Sequence, residues 1–186
     1  MRATNKNIKE NYERYLKIKQ VKKKLAEKDI LLYKDAGHKD VQVGEAVVAV
    51  GEGEESARLQ VTLNVLKTRN FKFKLFCDDL TPAPCYRFDS DGGTHMNPYS
   101  ETDALLDRRV ATPHFHCYNE DGVEIAYKTE ELVKEQEKLL GDYDKAMGHF
   151  FAEENVLSED GTRMVPETLP LGKDELENPL EGVEFP

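Results

Sequence analysis

The middle of the chain alternates apolar and polar residues with the period of two that is typical of a β-strand with one buried face. The clearest case is the segment 58–67 (RLQVTLNVLK), in which every second side chain is apolar. Shorter segments with β-type character are 45–52, 71–75, 85–88 and 113–118. Because the connections between them are mostly short, the simplest topology is an antiparallel meander.

The N-terminal segment has the wider spacing of an amphipathic helix. Apolar residues recur there every three or four positions and would form one stripe: Ile8, Tyr12, Tyr15, Ile18, Val21 and Leu25. Residues 1–28 are therefore predicted to form one long basic helix, capped by Thr4 or Asn5.

Two further helices are predicted in the C-terminal third. Thr129 can cap one that runs to about Leu140, and Asp142 or Tyr143 begins the other. The segment 158–186 that follows is acidic and holds four of the eight prolines with few apolar residues, so it is predicted to lack secondary structure.

Together these elements predict an α+β fold: an antiparallel sheet of five to six strands, a long N-terminal helix and two C-terminal helices. The chain is expected to divide into the basic helix at 1–28, an α+β core domain at 29–157 and the acidic, proline-containing tail at 158–186. A length of 186 residues suits one domain with such appendages.

Charge is distributed unevenly along the chain. Residues 1–28 hold ten Lys or Arg against three Glu, whereas residues 119–186 hold six basic against nineteen acidic residues, in a chain of net charge -10. The basic helix can therefore attract the acidic end or bind an anionic partner, either RNA or a protein. Its apolar stripe is expected to pack on the domain or on a second copy, which would make a homo-oligomer, and to leave Lys22, Lys23 and Lys24 free for that partner.

The apolar content excludes a helix that crosses a membrane. No stretch approaches the roughly 20 apolar residues that such a helix needs, and the polar N-terminus lacks the apolar centre of a secretory signal. Cys77, Cys85 and Cys117 are odd in number and have no C-x-x-C spacing, which fits reduced thiols. These features predict a cytoplasmic protein that makes no contact with membranes.

The chemically dense part of the chain reads CYRFDSDGGTHMNP over 85–98 and ATPHFHCY over 111–118. His114 and His116 are two residues apart, so in a strand both imidazoles project from the same face. The Gly-Gly pair allows the chain to reverse, which would bring His95 toward the other two histidines.

One chemistry that fits these residues is acid–base catalysis without a cofactor. His114 and His116 would transfer protons during phosphodiester cleavage, Arg87 would hold a phosphate, and Asp89 and His95 would orient them. This combination is the one expected of a histidine-dependent ribonuclease.

Two other interpretations stay open. His95, His114 and His116 with Asp91 or Asp89 can bind a divalent transition metal, because imidazole nitrogens and carboxylate oxygens are common ligands of such ions. Alternatively, the same side chains only brace a strand and a loop through hydrogen bonds, since clustered titratable groups also arise for structural reasons.

The order of motifs also carries a resemblance. Arg87-Phe88-Asp89, then His95-x-Asn97-Pro98, then Pro113-His114-x-His116 resembles the signature of a family of small bacterial or phage domains, and is distantly similar to TumE-type toxins of toxin–antitoxin pairs. The similarity covers residues 85–127. It implies a conflict protein, used in defence or anti-defence, that acts on nucleic acid through a histidine-lined site.

The sequence thus leaves three functions to be distinguished. The first is a toxin-like or defence protein with ribonuclease activity, and the second is a metal-binding enzyme that uses the histidine cluster. The third is a non-catalytic inhibitor or interaction protein that works through its basic helix or acidic tail.

Overall fold

The computed structural model describes residues 3–25, 27–53, 55–98, 107–158 and 163–167. The described helices are α1 (Lys6–Glu10), α2 (Tyr12–Gln20), α3 (Glu130–Leu139) and α4 (Tyr143–Glu153). The described strands are β1 (Lys23–Leu25), β2 (Asp29–Lys34), β3 (Val41–Val50), β4 (Glu55–Asn64), β5 (Phe71–Phe76), β6 (Tyr86–Asp89), β7 (His95–Met96), β8 (Arg109–Val110), β9 (His114–Tyr118), β10 (Glu124–Tyr127), β11 (Val156–Leu157) and β12 (Arg163–Pro166).

Ten of these strands form one sheet, and β7 and β8 form a separate hairpin. The main path through the sheet is β10-β9-β6-β5-β4-β3-β1-β11, and β2 joins β12 to β3. The antiparallel ladders from β3 to β10 follow the alternation seen in the sequence. The predicted antiparallel sheet of five to six strands is nevertheless wrong, because β1 pairs in parallel with β11 and β2 in parallel with β12.

The long helix predicted over residues 1–28 is also wrong. Two short helices, α1 and α2, meet at Asn11, and the chain becomes extended at Val21. Residues Lys23–Leu25 then pair with β3 and with β11. Strand pairing across the fold therefore overrides the helical spacing of the local sequence, as tertiary context often does.

The apolar stripe of the N-terminal segment packs on the chain's own core, which confirms one of the two predicted arrangements. Its buried members are Ile8, Tyr15, Ile18 and Leu25, and Tyr12 and Val21 pack against them in part. The stripe is thus used within the chain and presents no continuous apolar face for pairing with a second copy.

Lys23 does not remain free for a partner, contrary to the prediction. Its side chain is buried, and its Nζ donates hydrogen bonds to the backbone oxygens of Lys19, Val21 and Glu154 at 3.1, 3.2 and 2.7 Å. Burial lowers the pKa of Lys23 to about 8, although the nearby Glu154 carboxylate opposes this shift.

The core lies on one face of the sheet, beneath α2 and α4. Phe73 stacks on Phe88 with ring centroids 5.7 Å apart, and Phe150 of α4 lies at the same distance from Phe73. On the same face, Tyr15 of α2 stacks on Tyr86 at 4.9 Å. The aromatic residues of β5 and β6 thus anchor the helices and fix the strands that carry the polar segment on their other face.

The two C-terminal helices are confirmed, with the expected caps. The Thr129 side chain accepts a hydrogen bond from the Leu132 amide, and the Asp142 side chain accepts one from the Lys145 amide. In the segment predicted to lack secondary structure, Arg163–Pro166 forms a strand, so the prediction is wrong there. Most of the remaining tail lies outside the described residues, and in the described part of the chain no helix is long and apolar enough to span a membrane.

Candidate metal centre

Strands β6 and β9 lie side by side, and their register brings the polar residues of the histidine segment together. Arg87 is paired with His116, and Asp89 is paired with His114. Because alternate residues of a strand point to opposite faces, all four side chains lie on one face of the sheet. The phenylalanines between them point into the core. Glu124 comes from the next strand, β10, which pairs with β9.

Three imidazole rings meet on this face. The ring centroids of His114 and His116 are 4.5 Å apart, and His95 lies 4.9 Å from His116 and 6.3 Å from His114. The geometric prediction that His114 and His116 share a face, with His95 within reach, is therefore confirmed. Whether these histidines act as acid, base or ligand stays a prediction.

His95 is held over the sheet by its neighbour Asn97. The side-chain amide of Asn97 donates to the backbone oxygen of Ala126 at 2.7 Å and accepts from the amide of Ala126 at 2.8 Å, so it pairs with β10 much as a strand would. It also donates to the backbone oxygen of Asp107 at 2.6 Å. Asn97 is buried, and these bonds tie the β7–β8 hairpin, and with it His95, to the edge of the sheet.

Two carboxylates balance the charge around the rings. Oδ2 of Asp89 lies 3.3 Å from Nε2 of His116, while Arg87 contacts Asp89 at 3.2 Å and Glu124 at 3.2 Å. Burial alone would raise the pKa of Asp89, but the hydrogen bond to His116 and the charges of Arg87 and Lys72 lower it to about 2. Asp89 is therefore ionised at neutral pH.

His114 is neutral at the same pH. Burial, and then the neighbouring ring of His116, lower its pKa to about 4, although a backbone hydrogen bond to Ala111 opposes the shift. Among the described residues, the buried Nδ1 of His114 has no hydrogen-bond partner. A neutral imidazole can offer a lone pair to a metal, whereas a protonated one cannot.

The potential ligand atoms form two overlapping groups. One contains Asp89, His114 and His116, all buried, and the other contains His95, His116 and Glu124; within each group the ligand atoms lie within 4.8 Å of one another. A group of this kind, with imidazole nitrogens and a carboxylate oxygen converging from separate strands, is the donor set that divalent transition metals take in proteins.

Asp91, the alternative carboxylate ligand named from the sequence, is not part of either group. It is exposed and accepts a hydrogen bond from the Gly92 amide at 2.8 Å within the turn. Glu124, by contrast, was missed, because the short strand β10 was not predicted. The sequence does contain a signal that could have identified it. Glu124 is a polar residue two positions before Ala126, on the strand that directly follows the strand with His114 and His116.

A cleft of about 360 Å³ adjoins the centre on the same face of the sheet. Its polar lining consists of Thr62, Asn64, Asn70, Lys72, Lys74 and Arg87. Burial lowers the pKa of Lys74, and the positive charges of Lys72 and Arg87 lower it further. Lys72 and Lys74 alternate with core phenylalanines along β5, and no role was predicted for them from the sequence.

Comparison of the chain with protein-family models, with curated proteins and with solved structures found no match. The resemblance to TumE-type toxins therefore stays untested, and the geometry of the site carries the functional argument.

Proposed function

We propose that the protein is a metal-dependent hydrolase whose divalent transition-metal ion is bound by Asp89, His114, His116 and His95. The observation that carries this proposal is the convergence of three buried ligand groups, Asp89, His114 and His116, from two adjacent strands, with their ligand atoms within 4.8 Å of one another. His95 is the next imidazole and lies edge-to-face against His116.

The spacing fits a metal better than it fits a phosphate held between two rings. Ligand atoms about 2.1 Å from a tetrahedral ion lie about 3.4 Å from one another. The ligand atoms of Asp89, His114 and His116 lie within 4.8 Å of one another, so small side-chain rotations would bring them to that distance. By contrast, His114 and His116 are already in ring contact, with centroids 4.5 Å apart. A scissile phosphate has no room between them, which makes a direct acid–base pair the less favoured mechanism.

The charge of the site also suits a divalent cation. Asp89 and Glu124 supply two carboxylates, which Arg87 and Lys72 contact, and the neutral His114 adds no positive charge. The buried Nδ1 of His114 has no hydrogen-bond partner among the described residues, and a metal ion would satisfy its lone pair.

A bound ion of this type would supply Lewis acidity and lower the pKa of a coordinated water. In hydrolysis, the oxygen of an attacking water would form a bond to the electrophilic centre, the bond to the leaving group would break, and a proton of the water would pass to the leaving group. Glu124 is half-buried, and its carboxylate oxygen lies within 4.8 Å of a ring nitrogen of His95 and of His116. We assign it to carry that proton.

The test is metal binding by the full chain. After removal of metals with a chelator, Co²⁺ and Zn²⁺ are titrated into the wild-type protein, and Co²⁺ absorption reports the coordination. We expect one ion per chain, and we expect His116→Ala to abolish the signal. His149→Gln is the matched control, because His149 bonds Glu135 on the helices, at 3.0 Å, and belongs to neither ligand group.

Two results would contradict the proposal. One is failure of the folded wild-type protein to bind either ion with a dissociation constant below roughly 10 µM, because dedicated protein sites made of imidazole and carboxylate ligands bind such ions far more tightly. The other is equal loss of binding in His116→Ala and His149→Gln, which would indicate adventitious binding to surface histidines.

A further inference from the structure

Positive charge accumulates beside the candidate metal centre, in the cleft defined above. Lys72 and Lys74 are alternate residues of β5, and Lys74 is paired with Arg87 of β6. All three therefore lie on the same face of adjacent strands, and all three line the cleft. Neighbouring like charges repel, so such an arrangement costs free energy unless an anion is present.

The carboxylates of the neighbouring centre neutralise only part of this charge. Asp89 is shared by Lys72, at 3.6 Å, and Arg87, at 3.2 Å. Among the described residues, Lys74 has no carboxylate within ion-pair distance, and its Nζ donates only to the side-chain oxygen of Gln60, at 3.3 Å. The cleft therefore retains a cation that is half-buried and lacks a counter-charge.

The remaining polar lining can donate hydrogen bonds to an anion. Oδ1 of Asn64 already accepts from the amides of Leu66 and Lys67, at 3.0 and 2.8 Å, which leaves its NH₂ group as the donor. Thr62 adds a hydroxyl. Ammonium, guanidinium, amide and hydroxyl donors around one space form a donor set suited to an oxyanion with several oxygens.

We infer that this cleft binds the phosphate group of the substrate through Lys72, Lys74 and Arg87, so that the substrate of the proposed hydrolase is a phosphate ester. This assignment of substrate class rests on the proposed function, whereas phosphate binding itself does not require the metal. The cleft volume of about 360 Å³ falls in the range of small-molecule sites, so it accepts a phosphate with a small attached group.

The experiment measures binding of inorganic phosphate to the full chain by isothermal titration calorimetry, in the presence of a chelator. We expect Lys74→Gln to weaken binding about tenfold, because a charge-assisted hydrogen bond is lost, and Lys74→Arg to retain most of the affinity. Lys134→Gln is the matched control, since Lys134 is an exposed lysine on α3 that pairs with Glu130.

The outcomes separate this inference from the proposed function. Phosphate binding that depends on Lys74 in the presence of chelator supports the cleft, whatever the metal titration gives. No heat of binding at roughly 10 mM phosphate would overturn the inference, as would equal affinity of wild type and Lys74→Gln. A protein that binds Co²⁺ as proposed but fails this test would keep its metal centre and lose the assignment of its substrate.

Discussion

The two faces of strands β6 and β9 differ completely although their residues alternate along the same chain. On one face, Phe88 and Phe115 pack ring against ring, 5.2 Å apart, within the aromatic core. On the other face, the adjacent residues Asp89 and His114 are also buried but polar, and their ligand atoms lie within 4.8 Å of each other. The apolar face stabilises the sheet by packing. The polar face uses the fixed positions of the same strands to hold buried polar groups together, including Nδ1 of His114, which has no hydrogen-bond partner among the described residues.

The largest expected effect tests the apolar face. Phe88→Ala should lower the free energy of unfolding by about 3–5 kcal/mol, because a fully buried ring that contacts three other phenylalanines is replaced by a cavity. Urea denaturation followed by circular dichroism measures it. On the polar face, Gln60→Ala should change stability by no more than about 1 kcal/mol. Similar losses for both variants would remove the distinction between the faces.

The apolar side also contains an exception, the buried residue Glu154, and this exception predicts a pH effect. Burial raises the pKa of Glu154 to about 7, against the opposing charges of Lys19 and Lys23. Between its unfolded value of 4.5 and this folded value, the folded state binds more protons than the unfolded state. The contribution to stability is therefore fully present below pH 4.5 and is lost as the pH rises to 7.

Glu154→Gln should flatten this dependence and stabilise the protein at pH 8 by about 1–3 kcal/mol, because no charge then has to be buried. Chemical denaturation at a series of pH values checks the sign. Glu153→Gln is the control, since the Glu153 carboxylate has partners in Lys19, at 2.9 Å, and Tyr127, at 2.6 Å. The raised pKa of Glu154 would be contradicted if the free energy of unfolding of the wild type followed the same course between pH 4.5 and 7 as that of Glu154→Gln, with no loss relative to the variant.

A smaller effect is expected at Asn97, which orients His95, the proposed fourth ligand. Asn97→Ala removes the bonds that tie the β7–β8 hairpin to Ala126 and should lower metal affinity by about 10- to 100-fold, as loss of groups that position ligands does. The readout that distinguishes this from general destabilisation is the Co²⁺ spectrum, in which one imidazole ligand should weaken. An unchanged affinity in a folded Asn97→Ala variant would show that His95 is not a ligand.

The sequence predicted the polar face better than the ends of the sheet, for a physical reason. The positions of His114 and His116 follow from the two-residue repeat of a strand, which is a local property and holds wherever the strand lies. Strand β1 could not be predicted in this way, because Lys23–Leu25 continues a helical spacing and becomes a strand only through pairing with β3 and β11. The register that pairs Asp89 with His114 is likewise non-local.

The subtlest comparison lies within the polar face, between the candidate metal centre and the proposed phosphate cleft, which share Arg87. The guanidinium of Arg87 contacts Asp89, Glu124 and the ring of His116, the last at 3.0 Å, so it competes with a metal ion for the same groups. A metal bound by Asp89 would release Arg87 toward the cleft that it already lines. Metal and phosphate should therefore strengthen each other's binding, about fivefold or more, by the same factor in either order.

Co²⁺ affinity measured with and without phosphate tests this coupling in three proteins. Arg87→Gln should bind Co²⁺ more tightly than wild type when phosphate is absent, because the competing cation is gone, and phosphate should no longer improve the affinity. Lys74→Gln should need more phosphate to reach the same gain as wild type, because Lys74 contacts the anion but none of the proposed ligands. Chelation of free Co²⁺ by phosphate affects all three proteins equally and cancels in the comparison. If Arg87→Gln keeps the full response to phosphate, the two sites are independent, and Arg87 belongs to the centre alone.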